Sequence, residues 1–243
     1  MLAGDLPRAC QEAEHVGPGV ACGLMDKLAV FTGEEHMATL IDCKTESSIT
    51  VQFPESQWRI IAIDSGQEHG LARSRYNKRL AEVEKALRTI QAAGYDLQDM
   101  RDVSLQVLAT VALPTALDQR SRHVITENAR VMRAVEALHT QSENALQQTT
   151  SDSHASLRDD FQISTPELNL LVSATEPSSP TIGSRLTGAD FGGCTVNLVR
   201  WEHTEFFMEA VATQFIATFG QSPAIYKLMP AAPVAHGLLD NNQ

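Results

Sequence analysis

Apolar residues fall into two kinds of pattern along this chain. Short β-branched runs lie in the first quarter, and longer stretches at helical spacing occupy most of the remainder. Residues 5–15 read as the end of a helix, and Val16-Gly17-Pro18-Gly19 follows as a turn by its glycine and proline content. Cys22 to Thr32 predicts a helix with Met25, Leu28, Ala29 and Thr32 on its apolar side, stopped by Gly33. Three strand-like runs come next: Ala38 to Asp42, Ser48 to Phe53 and Trp58 to Asp64. The first two are joined by a short polar link and read as a hairpin. A charged helix is expected from about Ala72 to Ala93, where Leu80, Val83, Leu87 and Ile90 share a face.

Residues 102–148 read as mostly helical, interrupted near Pro114, with Arg122 to Leu138 as the best-formed stretch. Ser151 to Asp160 predicts a further helix, and Pro166 in Thr165-Pro166-Glu167 sits where proline suits a first helical position. A glycine-rich turn over 183–193 leads into a strand from Cys194 to Val199. A helix over Thr204 to Phe219 and a strand over Ala224 to Met229 complete a β-α-β unit. The pattern as a whole is α+β, with a boundary expected near 65–72.

Composition changes this picture little. Hydrophobic residues make up 43% of the 243, enough for a packed core. No apolar run approaches the roughly 20 residues of a membrane span, and the first residues lack a basic segment followed by an apolar one. The expected location is therefore cytoplasmic. The formal net charge of −11 makes nucleic acid and anionic membranes poor partners. Cys10, Cys22, Cys43 and Cys194 lie far apart, without the spacing of a zinc site or a secreted disulfide framework.

Five blocks carry candidate chemistry: Cys10-Gln11-Glu12-Ala13-Glu14-His15, Cys22-Gly23-Leu24-Met25-Asp26-Lys27, Tyr76-Asn77-Lys78-Arg79, Ser153 to Phe161, and Gly188-Ala189-Asp190-Phe191-Gly192-Gly193-Cys194. On its own, Asp26 reads as an exposed acid stabilised by a helix N-terminus. Glu14 is one acid among 30. Tyr76 could be simple packing, and a glycine-dense turn is usually only a turn. In this order and spacing, however, the blocks resemble the C-terminal part of a galactokinase, a member of the GHMP small-molecule kinases. Arg122 to Arg130 and the Ser153–Phe161 block match the bacterial members and read as fold determinants. His15 and His154 read as hydrogen-bonded structural histidines, the latter at a helix terminus.

The resemblance implies an α+β, GHMP-kinase-like fold. Residues 1–68 would be a remnant of the N-terminal mixed domain, and residues 69–243 a helix-rich C-terminal domain with a ferredoxin-like β-α-β element. It implies an ATP-dependent phosphotransferase making galactose 1-phosphate from α-D-galactose, with Mg²⁺ as cofactor and galactose and ATP as ligands. Asp26 would be the catalytic base, with Gly23 and Tyr76 beside the sugar. Glu14 would be the Mg²⁺ ligand, and Gly188, Gly192 and Gly193 would lie at the nucleotide. A hemiacetal hydroxyl is too weak an acid to ionise at neutral pH, so a carboxylate within hydrogen-bond reach is what such a transfer needs. Two positions depart from the pattern: Lys27 replaces the usual Gln, and Asp190 the usual Gly. An extra carboxylate beside a polyphosphate is repulsive.

Neither a G-R-V-N-L-I-G-E-H-x-D-Y block nor a P-x-G-x-G-L-S-S-S-A phosphate loop occurs in the sequence. The chain is thus expected to be truncated, to lack an N-terminal half, and to leave its three early strands partly unpaired. Alternatives are a non-catalytic sugar sensor, a partner-dependent subunit, or a kinase of N-acetylgalactosamine or another sugar. The purified 243-residue chain is expected to show no galactose-dependent ADP release; sustained release in a coupled assay would overturn that expectation.

Overall fold

Isoleucines on both faces of one short segment set the architecture. The strand β3 (Trp58–Asp64) buries Ile61 and Ile63 on one side and Trp58 on the other, the pattern of a strand covered on both faces. In the computed structural model, which describes residues 6–17, 22–67, 72–173, 181–188 and 192–234, β3 is an inner strand of a four-stranded antiparallel sheet. The sheet order is β4 (Thr181–Leu186), β5 (Cys194–Arg200), β3, β6 (Ala224–Leu228). Ile61 lies opposite Asn197 of β5 and Lys227 of β6. Because β5 and β6 both run antiparallel to the strand between them, they are parallel to each other. The helix α8 (Thr204–Phe219) joins them as a split β-α-β crossover.

This pairing corrects the expected grouping of β3 with the two earlier strands. β1 (Met37–Asp42) and β2 (Ser47–Gln52) form a separate hairpin, in register from Met37 opposite Gln52 to Asp42 opposite Ser47. The reason lies in the side chains. β2 exposes Ser48, Ile49 and Gln52, so it suits one covered face, whereas β3 has apolar groups for two.

Each face of the four-stranded sheet has its own core. On one, Ile61, Ile63 and Val199 meet Phe207, Val211 and Phe215 of α8 and Leu171 of α7 (Pro166–Ser173). On the other, Trp58 and Ile182 meet Ala137 of α5 (Thr115–His139) and Leu146 of α6 (Glu143–Asp159). A third cluster joins Ala86 and Ile90 of α3 (Ala72–Ala92) to Leu108 of α4 (Leu105–Thr110) and Leu117 of α5. The remaining helices, α1 (Leu6–Val16) and α2 (Met25–Thr32), pack on each other, and α2 also touches β1. Among the described residues no helix is long and apolar enough to cross a membrane.

Three further expectations change. Residues 183–186, read as part of a glycine-rich turn, belong to the strand β4. Gly183 lies in that strand because α6 passes close by: a Cβ there would stand 2.7 Å from Thr150 Oγ1. α6 begins at Glu143, after Ser142 caps it by accepting the Ala145 N–H, so His154 lies inside the helix and not at its terminus. α2 starts at Met25, three residues later than its apolar pattern suggests.

Most polar side chains buried with the core are paired; among the described residues Ser65 Oγ and Arg130 Nη2 are not. Asn197 donates to the Ile61 carbonyl at 3.0 Å and accepts from Ser184 Oγ at 2.5 Å. Arg120 donates to Glu82 and Gln162 and to the Asp160 carbonyl, while Arg79 donates to the Phe161 carbonyl, so two guanidinium groups clamp the turn after α6. His123 stacks on Phe161 and contacts Ser156 Oγ at 3.0 Å. His154 Nδ1 accepts the Leu186 N–H, which leaves Nε2 to donate to Asn169 Oδ1.

Burial pushes both imidazoles down to about 4. Their folded pKa values thus lie below the unfolded value of about 6.5. The unfolded chain binds the extra protons, so stability falls as pH drops from about 6.5 towards 4. The loss is up to about 3 kcal/mol per histidine. Urea unfolding at pH 7 and pH 5 is expected to show this loss. H123Q and H154Q, each destabilised at pH 7, should show a shallower fall.

Candidate active site at the α1–α2 corner and the glycine turn

The blocks singled out by sequence come together in two places. At the first, three residues of α1 spaced along one face reach the loop before α2. Gln11 donates to the Cys22 carbonyl at 3.0 Å, and His15 Nε2 lies 3.0 Å from the same oxygen. Between them Glu14 Oε2 receives the Lys27 ammonium at 2.7 Å. Lys27 Nζ also approaches Cys22 Sγ at 3.4 Å. The run Cys10 to His15 is therefore a clamp on the start of α2.

Electrostatics at this corner follow from the contacts. Hydrogen bonds from the Cys22 thiol and the Lys27 ammonium hold Glu14 below the ordinary carboxylate range. The bond to Glu14 raises Lys27, and burial with the Glu14 contact raises the Cys22 thiol. Lys27 keeps only 8% of its side chain exposed, against 47% for Glu14.

Asp26 occupies the first turn of α2, exposed, where the helix N-terminus favours a negative charge. Its neighbour Gly23 is also exposed, and a Cβ there would meet nothing within 4 Å. Asp26 also lies near the β1–β2 turn. Its charge helps to raise the Cys43 thiol, after burial and the Asp42 carboxylate. That turn is pinned to the segment following α3 by Arg101 on Asp42 and Lys44 on Asp99 and Asp102. A cleft of about 620 Å³ opens there, lined by Asp42, Cys43, Arg101, Asn128 and Met132 among others.

The second place is the turn between β4 and β5. Gly188, Gly192 and Gly193 have φ of 87°, 153° and 74°, values that favour glycine. They serve different ends. Gly192 is buried against the chain leaving β3: a Cβ would stand 3.1 Å from the Gln67 carbonyl oxygen. Gly193 accepts the Ser65 N–H at 2.9 Å. Gly188 is exposed, and nothing would meet a Cβ there. Beside the turn, Ser65 Oγ is fully buried and has no hydrogen-bond partner among the described residues. Tyr76 lies half-buried in the second turn of α3. Asp190 falls outside the described residues.

Sequence reasoning located Glu14 and Lys27 but not their pairing. The signal was present: a cation had replaced a neutral residue thirteen positions after the glutamate. Gln67 and Ser65, which hold the glycine turn, gave no signal in sequence. The expected Mg²⁺ at Glu14 does not fit the residues present. The carboxylate is already engaged by an ammonium, and among the described residues no group of three or more His, Cys, Asp or Glu side chains could hold a metal ion.

Against known proteins, no family model matches the chain. A solved structure of mevalonate kinase from L. major aligns over 96% of the chain with a TM-score of 0.56 at 16% identity, a likeness of fold alone. The crystal structure of Lactococcus lactis galactokinase complexed with galactose covers the same 96%, with a TM-score of 0.90 and 27% identity. The fold is thus that of the GHMP small-molecule kinases. The galactokinase of Clostridium beijerinckii is 35% identical over 224 residues, 91% of this chain. Within that class the chain is similar to the galactokinases over the part that it spans. It spans 58% of the length of the clostridial relative and 61% of the lactococcal one.

Gly192→Ala is expected to destabilise the protein by roughly 1–3 kcal/mol, since it adds a Cβ at positive φ against backbone. Gly188→Ala, at positive φ but in open space, should cost about 1 kcal/mol. Urea denaturation checks the order; equal losses would show that the turn does not depend on its contact with Gln67.

Proposed function

We propose that this chain carries the catalytic carboxylate of an ATP-dependent galactokinase, which phosphorylates α-D-galactose at its 1-hydroxyl. The observation that carries the reading is Asp26: exposed on the first turn of α2, in a chain whose fold follows a galactose-bound galactokinase over nearly its whole length. In the transfer, the 1-hydroxyl oxygen forms a bond to the γ-phosphorus of ATP and the bond to the ADP oxygen breaks. Asp26 orients the hydroxyl and receives its proton as transfer proceeds, then releases it to solvent. Gly23, without a side chain, leaves room for the sugar, and Tyr76 borders it. The open position of Gly188 supports a nucleotide contact at the β4–β5 turn. We place the domain division in the turn at 53–57, ahead of β3, because β3 pairs only with strands of the later part among the described residues.

One observation favours a second reading, a sugar sensor without transfer: Glu14, the carboxylate expected to hold Mg²⁺, is paired with Lys27. Asp26→Asn separates the two readings in the protein completed by the sugar-gripping and phosphate-loop segments. Galactose phosphorylation is expected to fall by about 10²–10⁴-fold, with galactose binding retained within a few-fold. Transfer at the unsubstituted rate would remove Asp26 from the mechanism, and a completed protein with no transfer even before substitution would favour the sensor.

A further inference from the structure

We propose that Lys27 is the resident counter-cation of Glu14, and that Glu14 consequently takes no divalent cation in this protein. Three features of the corner support this. Lys27 Nζ lies 2.7 Å from Glu14 Oε2, a charge-assisted hydrogen bond of normal length. The lysine is the more deeply buried partner, with 8% of its side chain exposed against 47% for the glutamate. Its ammonium depends on Glu14 for a negative neighbour, whereas Glu14 retains access to water.

A divalent cation arriving at Glu14 would meet two obstacles. It would have to displace an ammonium that is left unpaired where little solvent reaches it, and an unpaired buried charge is strongly unfavourable. It would otherwise have to sit beside a positive charge, which repels it. Nor does the corner supply compensation: hard cations gather several oxygen ligands, usually carboxylates, carbonyls and water. Among the described residues, Gln11 and His15 at this corner are both engaged with the Cys22 carbonyl, and the Cys22 thiol is raised by burial. Glu14 thereby becomes a positioning residue. Through Lys27, the residue next to Asp26, it fixes the start of α2 and the direction in which the Asp26 carboxylate is presented.

The inference rests on this chain's own ion pair and needs no sugar, nucleotide or activity. It is tested on the 243-residue chain with Mn²⁺ as the probe, read by paramagnetic broadening of amide resonances. Unsubstituted protein is expected to show no selective broadening at residues 13–15 and 22–27. Lys27→Gln is expected to acquire it, and Lys27→Gln with Glu14→Gln to lose it again. Selective broadening of these amides in the unsubstituted chain would overturn the proposal. So would a folded Lys27→Gln variant whose spectrum Mn²⁺ leaves unchanged at these positions. The readout on unsubstituted protein holds even if a variant fails to fold. Failure of this test leaves the role of Asp26 in transfer to be decided by its own substitution.

Discussion

The double burial of β3 is the constraint from which the rest of the structure follows. A strand that places Ile61 and Ile63 against one helical layer and Trp58 against another cannot lie at an edge or on a half-covered sheet. It must be flanked on both sides by strands and covered on both faces by helices. β5 and β6 supply the flanks, α7 and α8 cover one face, and α5 and α6 cover the other. The buried Asn197 side chain then ties β5 to the Ile61 carbonyl and to Ser184, so the sheet's centre is held by directional bonds as well as by apolar contact.

The two functional groupings hang from this frame in different ways. The glycine turn is an extension of it, since β4 and β5 enter and leave the turn and the chain beyond β3 presses on Gly192 and Gly193. The α1–α2 corner is held more locally, by hydrogen bonds and one ion pair, and reaches the remainder through the β1–β2 hairpin. Ion pairs of Asp42 with Arg101 and of Lys44 with Asp99 and Asp102 bind that hairpin to the segment after α3. Exposed pairs such as these contribute little stability each; their value here is geometric, because they fix the turn near which Asp26 is presented.

Lys27 alters the chemistry open to the corner. A neutral side chain at this position would leave the Glu14 carboxylate to solvent and to cations. An ammonium at 2.7 Å satisfies it internally. The same residue links Glu14 to the start of α2, where Asp26 is the adjacent position.

Much of this protein was written locally in its sequence. The strand β3 and the helix α8 have the boundaries their composition predicts, because each carries its apolar pattern and its stop signals within itself. The site blocks were equally legible, since they are short runs whose residue types can be read without neighbours. What the sequence could not settle was partnership. β3 was expected, like β1 and β2, to be left partly unpaired for want of strands in an absent half, yet it pairs with strands more than 100 residues later, and only the demand for cover on both faces selects them. β4 looked like a turn because Gly183 suggests one, whereas Thr150 of α6, far off in sequence, requires a residue without a side chain. Glu14 read as a metal ligand for as long as nothing was known of what stood beside it. Its partner Lys27 is brought near only when α1 and α2 pack together, and that contact, which no residue encodes alone, decides what the carboxylate can bind.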